Sequence, residues 1–284
     1  MDDPPRPLFV SPGVGPPWDM PEVRQALRAA TISDIRESLS RYSHGHYDAG
    51  MAVHDSYNES VGHLSDECVN GARGSYDMHN ESSGTPSADR ADRAERADRA
   101  ERADRADRAP TSAVLLALYE EDGEVRTILT RRSTELRHHA GEVCFPGGGI
   151  ERGEDTVQAA LREAREEIGL CTDEVEIIGV LPTLHTYSSG SAIAPVVAAL
   201  PARPEVAANS AEVARLFDIG LGALLDDGVF HEELWKLKED DPGISVYFFY
   251  VAGEVVWGAT ARIVMQLLTI LGDWCLSRND MERR

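Results

Sequence analysis

Residues Gly147 to Leu170, GGGIERGEDTVQAALREAREEIGL, carry the reading from which the rest of the chain follows. From Thr156 the apolar residues Val157, Leu161, Ala164 and Ile168 recur at steps of three and four, the period of an amphipathic helix laid on a core. Glu163, Glu166 and Glu167 stand at i, i+3 and i+4, so three carboxylates crowd one flank of that helix. Like charges at this spacing repel, and a hard dication that takes oxygen ligands turns the repulsion into binding. The Gly147-Gly148-Gly149 run ahead of the helix lets the backbone turn tightly, so that a carbonyl can join the metal shell. Gly169 supplies the C-cap. A glutamate-rich helix face is ordinarily solvated surface; the fixed spacing of glycines, glutamates and an arginine sets this one apart.

That spacing runs Gly148, five residues, Glu154, seven residues, then Arg162-Glu163-Ala164-Arg165-Glu166-Glu167-Ile168-Gly169-Leu170. It resembles the Nudix box, the signature of Mg²⁺-dependent hydrolases of nucleoside diphosphates linked to another group. Ala164 is smaller than the bulky aliphatic residue usual at its place. A second pattern overlaps the first: Leu129-Thr130-Arg131-Arg132-Ser133, three residues, Arg137, three residues, Gly141, three residues, Phe145-Pro146-Gly147-Gly148. It is similar to the extra signature of the coenzyme A diphosphatase branch of that family, with Glu142 where relatives commonly carry Gln.

The resemblance implies an α/β/α sandwich with a mixed sheet, spanning roughly Pro110 to the C-terminus. It implies Mg²⁺ or Mn²⁺ held by Glu163, Glu166, Glu167 and the Gly148 carbonyl. Glu163 and Glu166 form the catalytic set with Arg162, which orients the glutamates, and Glu154, which pairs with Arg162; which glutamate accepts the proton stays open. The implied substrate is coenzyme A or an acyl-CoA, cut at its diphosphate to 3′,5′-ADP and 4′-phosphopantetheine. On the substrate side stand Arg132, Arg137, His139, Gly141, Phe145 and Gly147. Arginine pairs bidentately with phosphate, though either Arg132 or Arg137 taken alone also fits a salt bridge to the surplus acids. Phe145 and Pro146 stiffen the loop. A hydrolase of ADP-ribose or another nucleoside diphosphate derivative is the alternative within the family, and a non-catalytic CoA- or nucleotide-binding module the alternative outside it.

Acidic residues number 49 against 28 basic ones, a net charge of −21, which opposes non-specific binding to nucleic acids and anionic membranes. The partner expected is therefore a small molecule, with neither nucleic acid nor membrane, and a homodimer is allowed. Cys68, Cys144, Cys171 and Cys275 form no CxxC pair, so reduced thiols in a cytoplasmic protein are expected. No basic start followed by an apolar run opens the sequence, and no apolar stretch is expected to span a bilayer.

The chain divides at Pro110. Residues 1–109 read as an extension: a proline-rich lead to Trp18, an amphipathic helix or helix pair over 21–42 with Ser33 or Asp34 as an inner N-cap, and a polar linker over 43–87 whose composition predicts disorder. Five of the nine histidines fall in that linker at irregular spacing, too irregular for a metal site. Residues 88–108 repeat Ala-Asp-Arg or Ala-Glu-Arg; each acid but the last, Asp107, has an arginine four places on, but a period of three leaves no apolar stripe, so a solvated, partly helical spacer is expected. From residue 110 to 284 the domain reads as strands over 113–119, 125–130, 175–181, 192–200, 213–219 and 244–251, with a last helix over 259–277. The first two strands read as a hairpin linked by Glu120 to Glu124. Val256 to Ile263 also resembles a stretch recurrent in the branch, with Trp257 most simply a core residue. Glu212 opens a strand where it either positions water or metal or fixes a loop.

Overall fold

The computed structural model describes residues 9–13, 16, 18–43, 109–186, 190–236 and 243–282. Most of the polar linker and the Ala-Asp/Glu-Arg repeat lie outside the described residues.

Strand β2 (Ser112–Glu121) is the axis of the larger sheet. Its residues are buried on both sides: Ala113, Leu115, Ala117 and Tyr119 enter one apolar cluster and Leu116 and Leu118 the other. A strand covered on both faces reads as a continuous apolar run, as Ala113 to Tyr119 does. It turns into β3 (Glu124–Arg132) through Asp122 and Gly123, both at positive φ, 54° and 78°. The hairpin is thus a two-residue turn whose twist suits the flanking strands, tighter than the five-residue link expected. Beyond the turn, β2 pairs in parallel with β8 (Ala192–Ala199), and β8 antiparallel with β6 (Glu176–Val180) and β7 (Leu184–His185). β9 (Val213–Gly220) runs antiparallel along the other edge of β3. One parallel pairing among antiparallel ones makes the sheet mixed.

β2 and β3 pair only near their turn, Leu118 to Glu121 against Glu124 to Thr127. Past it the segment from Val143 to Gly149 fills the gap, with β4 (Val143–Cys144) on β3 and β5 (Gly147–Gly149) on β2. A Cβ on Gly147 would lie 2.3 Å from the Ala113 carbonyl oxygen and 2.6 Å from the Val114 Cα, so the close approach of β5 to β2 requires glycine there. Phe145, 2% exposed, anchors the crossing in the core.

Helix α3 (Thr156–Ile168) covers one face of this sheet. Asp155 and Gln158 close a capping box at its start, each side chain accepting from the other's backbone N–H, and Gly169 ends it at φ 65°. Ala159, Ala160, Ala164 and Ile168 make the buried contact, while Val157 and Leu161 are only partly buried. The helix is rotated from the expected stripe because small alanines let its backbone lie close to the strands.

The opposite face carries a larger core. Helix α4 (Gly258–Glu282) lies here with a second, four-stranded antiparallel sheet, β1 (Phe9–Pro12), β10 (Phe230–Lys236), β11 (Ile244–Val251) and β12 (Glu254–Trp257). Length and composition alone would let the α4 stretch Gly258–Arg278 cross a membrane, contrary to the sequence expectation. With 67% of that stretch buried inside the fold, it is accounted for as a core helix. β10 escaped the sequence reading because Glu232 and Glu233, both buried, interrupt its apolar pattern. β12 escaped it because Ala252 and Gly253, at φ 55° and 76°, form a two-residue turn without the usual Asn or Asp.

Two further helices complete this layer. α1 (Pro21–Arg28) begins with proline at its first position, and α2 (Ile32–Ser43) is capped by Thr31, whose hydroxyl accepts from the Asp34 N–H at 3.2 Å while Asp34 accepts from the Thr31 N–H at 2.9 Å. Thr31, not Ser33 or Asp34, is the cap; the Asp34 carboxylate reaches back to it. Val23, Leu27, Ile35 and Leu39 are buried together with Trp18 and α4 residues in one cluster. The layers are thus α3, the mixed sheet, and α4 with α1, α2 and the small sheet.

Candidate active site

α3 presents its three glutamates at graded depths. Glu167 points inward beneath the glycine segment; its Oε2 accepts from the Gly147 N–H at 3.0 Å and its Oε1 lies 3.5 Å from Arg132 Nη1. Glu163 lies beside Gly148, so close that a Cβ there would meet its carboxylate at 2.5 Å. Glu166 faces out, with 55% of its side chain exposed. One helical turn and one glycine strand bring these carboxylates and the Gly148 backbone together.

Arg162 ties the group. Its Nε and Nη2 bond Glu154 at 2.8 and 3.1 Å, its Nη1 bonds Glu163 at 2.8 Å and Glu166 at 3.3 Å, and its Nη2 also reaches the Gly149 carbonyl at 2.9 Å. The two-pronged contact with Arg162 holds the Glu154 carboxyl below its usual range, and the same contacts push the guanidinium's pKa up. At the helix end, Asn209 donates its backbone N–H to the Glu167 carbonyl at 2.8 Å and its side-chain amide to the Glu166 carbonyl at 3.5 Å. Asn209 was missed by the sequence reading; its place before the strand that opens with Val213 was its only signal.

Burial pushes the Glu167 carboxyl up to about 7, against the opposing pull of the Gly147 N–H and Arg132; Glu163 and Glu212 raise it further. Glu212 therefore belongs to the electrostatic surroundings of this site, and its backbone carbonyl also fixes the next loop by accepting from the Ser133 N–H at 2.8 Å. A carboxyl whose folded pKa lies above the unfolded 4.5 holds its proton longer when folded, so its contribution is fullest below pH 4.5 and is lost as pH rises through about 7. In metal-free protein, Glu167→Gln is expected to be more stable than the parent at pH 8 by on the order of 2 kcal/mol, the difference vanishing near pH 4. Urea unfolding in chelator across that range measures it; parallel stability curves would mean that Glu167 titrates as an ordinary carboxylate.

The loop between β3 and β4 carries the remaining candidates. Arg132 is part-buried against Glu167. Arg137 is exposed and makes no hydrogen bond or ion pair among the described residues. His139, at φ 55°, turns to Glu142, its Nδ1 lying 3.0 Å from Oε2, and Gly141 at φ 76° lets the loop reverse. Phe145 points into the core, where it stiffens the loop and does not face its outer surface. Trp257, half-buried, stacks on Phe248 at 6.4 Å in the small sheet.

Hard carboxylate oxygens and a backbone carbonyl, gathered around a glycine with no side chain, suit an octahedral dication. Among the described residues no three acidic, histidine or cysteine side chains form a ready-made metal cage. Arg162 occupies the cationic position between Glu163 and Glu166. The donor chemistry fits Mg²⁺ or Mn²⁺; the cage would be completed by water and substrate phosphate, as Mg²⁺ sites commonly are.

On a mixed-sheet α/β/α frame, arginine-bridged glutamates under a glycine strand gather the oxygen donors and cationic groups that suit a dication and a phosphate chain. The model of the NUDIX domain matches residues 109–216. The uncharacterized Nudix hydrolase NudL of Photorhabdus laumondii is 36% identical over 141 residues, 49% of this chain and 74% of that protein. Its namesake in Pectobacterium atrosepticum is 36% identical over 149 residues, 51% of this chain and 75% of that protein. Among solved structures, a C. elegans Ap4A hydrolase binary complex is 23% identical with a TM-score of 0.34, covering 39% of this chain and 80% of that one, too slight a likeness to carry an argument. The chain belongs to the Nudix hydrolase family, whose members act on nucleoside diphosphate derivatives and use divalent metals such as Mg²⁺ or Mn²⁺.

Proposed function

We propose that the protein hydrolyses the diphosphate bond of coenzyme A or an acyl-CoA, releasing 3′,5′-ADP and 4′-phosphopantetheine or its acyl form. One observation carries the reading: Arg132, a fixed position of the upstream motif, reaches the deepest glutamate of α3 while its buried Nε has no acceptor among the described residues. A buried guanidinium N–H without an acceptor is costly to leave unpaired, and a phosphate oxygen suits it. The substrate motif and the glutamate helix therefore meet at one point, where a diphosphate would lie.

In this reading Glu163, Glu166, Glu167 and the Gly148 carbonyl hold the divalent ion, which supplies charge neutralisation at the diphosphate and a more acidic water. Arg132 and Arg137 grip the phosphates. Arg162, itself fixed by Glu154 and the Gly149 carbonyl, keeps Glu163 and Glu166 facing the reacting phosphorus. Glu166 is the most open of the three carboxylates and, among the described residues, its carboxylate has only the 3.3 Å contact with Arg162; it takes the proton of the attacking water. Rates on CoA, ADP-ribose and NADH with purified protein test the substrate. CoA is expected to be favoured, and a clear preference for ADP-ribose overturns the assignment.

A further inference from the structure

We propose that His139 is a positioning residue: it draws the Glu142 carboxylate away from Arg132 and so keeps that guanidinium open to a phosphate oxygen. The inference rests on the reading above in which Arg132 grips the diphosphate, and it gives His139 a role that needs no contact with the substrate.

β4 runs antiparallel to β3, with Thr130 opposite Cys144 and Arg131 opposite Val143. One step further on, the Arg132 N–H donates to the Glu142 carbonyl at 2.9 Å, so Arg132 and Glu142 stand opposite each other. Opposite residues share a face of the sheet, as Thr130 Oγ1 and Cys144 Sγ do at 3.4 Å. Residues two apart along a strand share it too, which groups Glu142 with Cys144 and Arg132 with Thr130. That face is the one turned to α3. Arg132 Nη1 lies 3.5 Å from Glu167 Oε1, and the Cys144 thiol, pushed up by burial and held back by Thr130, feels the charges of Glu167 and Arg132 as well. A glutamate opposite an arginine is placed to bridge to it.

Glu142 does not take that partner. Its carboxylate goes to His139, Oε2 lying 3.0 Å from Nδ1, and this is its one ion pair among the described residues. Arg132 is left with Glu167, at a separation longer than the ~2.9 Å of a strong charge-assisted bond, and with a buried Nε that has no acceptor among the described residues. The loop backbone is shaped for the diversion. His139 at φ 55° and Gly141 at φ 76° are both left-handed, and the Glu142 N–H donates to the His139 carbonyl at 3.3 Å; the chain thereby brings the ring back to Glu142. A left-handed backbone is uncommon outside glycine, and such strain persists where the surrounding structure imposes it. A neutral imidazole protonated at Nδ1 and an imidazolium both donate to a carboxylate, so the hold does not depend on the charge of His139. Without the ring, the Glu142 carboxylate turns to the cation opposite it and competes there with phosphate.

Steady-state kinetics of the full chain with Mg²⁺ tests this in the parent, His139→Gly, Glu142→Gln and the double variant, on CoA and on ADP-ribose. Glycine takes the left-handed backbone without strain, so His139→Gly removes the ring alone. It should raise KM about fivefold and leave kcat within about twofold, the loss of one exposed ion pair's worth of substrate binding. Glu142→Gln by itself should not raise KM, and the double variant should return KM to that of the parent, because the competing charge is gone. Thermal melting of each variant checks that the fold is intact. An unchanged KM in His139→Gly, or a double variant as poor as His139→Gly, overturns the proposal; the second result would put His139 on the substrate itself. The two substrates keep the claims apart. Turnover of ADP-ribose alone, with the KM pattern present, retires the CoA reading and keeps the positioning role. CoA turnover without that pattern retires the positioning role alone, and turnover of neither substrate retires both.

Discussion

A chain cut back to residues 110–284 is expected to lose its cooperative thermal transition and to aggregate when produced alone. Trp18, Val23, Leu27, Ile35 and Leu39 are each buried in the same cluster as Leu268, Leu271 and Trp274 of α4. Truncating one such side chain costs roughly 2–5 kcal/mol, and a domain's whole stability is about 5–15 kcal/mol, so removing all five at once exceeds what the rest can offset. The polar ties between these parts matter far less. Arg24 to Asp227 and Arg28 to Asp226 are exposed pairs, worth on the order of 1 kcal/mol or less each. Comparing the truncated chain with the full one by soluble yield and calorimetry checks this; a sharp melt within a few degrees of the parent would show that α1 and α2 merely decorate the domain. We propose on this ground that residues 18–43 fold as part of the hydrolase, although the family match begins at residue 109.

Glu166→Gln is expected to lower the Mg²⁺-dependent turnover by about a thousandfold or more, since it removes both a metal ligand and the proton acceptor. The same substitution should leave thermal stability nearly unchanged, because the side chain is 55% exposed and its one partner among the described residues is Arg162 at 3.3 Å. That combination separates chemistry from folding. Glu167→Gln, by contrast, should both lose activity and gain alkaline stability, because its carboxyl is buried. Turnover within tenfold of the parent for Glu166→Gln would remove that residue from the mechanism.

The parts of the fold that could be read in the residues were those with an unbroken local pattern. β2 and β8 show continuous apolar runs, and α3 carries a period of three and four closed by Gly169. What was not legible depended on pairing between distant segments. β4 and β5 are two and three residues long and exist only because β2 and β3 part beyond their turn. The small sheet was reduced to one strand, since Glu232, Glu233 and Glu254 are buried against partners that sequence does not reveal. At the site, the spacing of Glu163, Glu166, Glu167 and Arg162 was plain. Their different depths were not: the identical side chains of Glu166 and Glu167 acquire opposite surroundings only from the strand that lies over one of them.

The most direct measurement is product analysis of coenzyme A incubated with the full chain, with Mg²⁺ and with chelator. The structure read in this way predicts 3′,5′-ADP and 4′-phosphopantetheine in equal amounts, formed only with the metal. Intact coenzyme A after prolonged incubation with Mg²⁺, or the same products at the same rate in chelator, would contradict it.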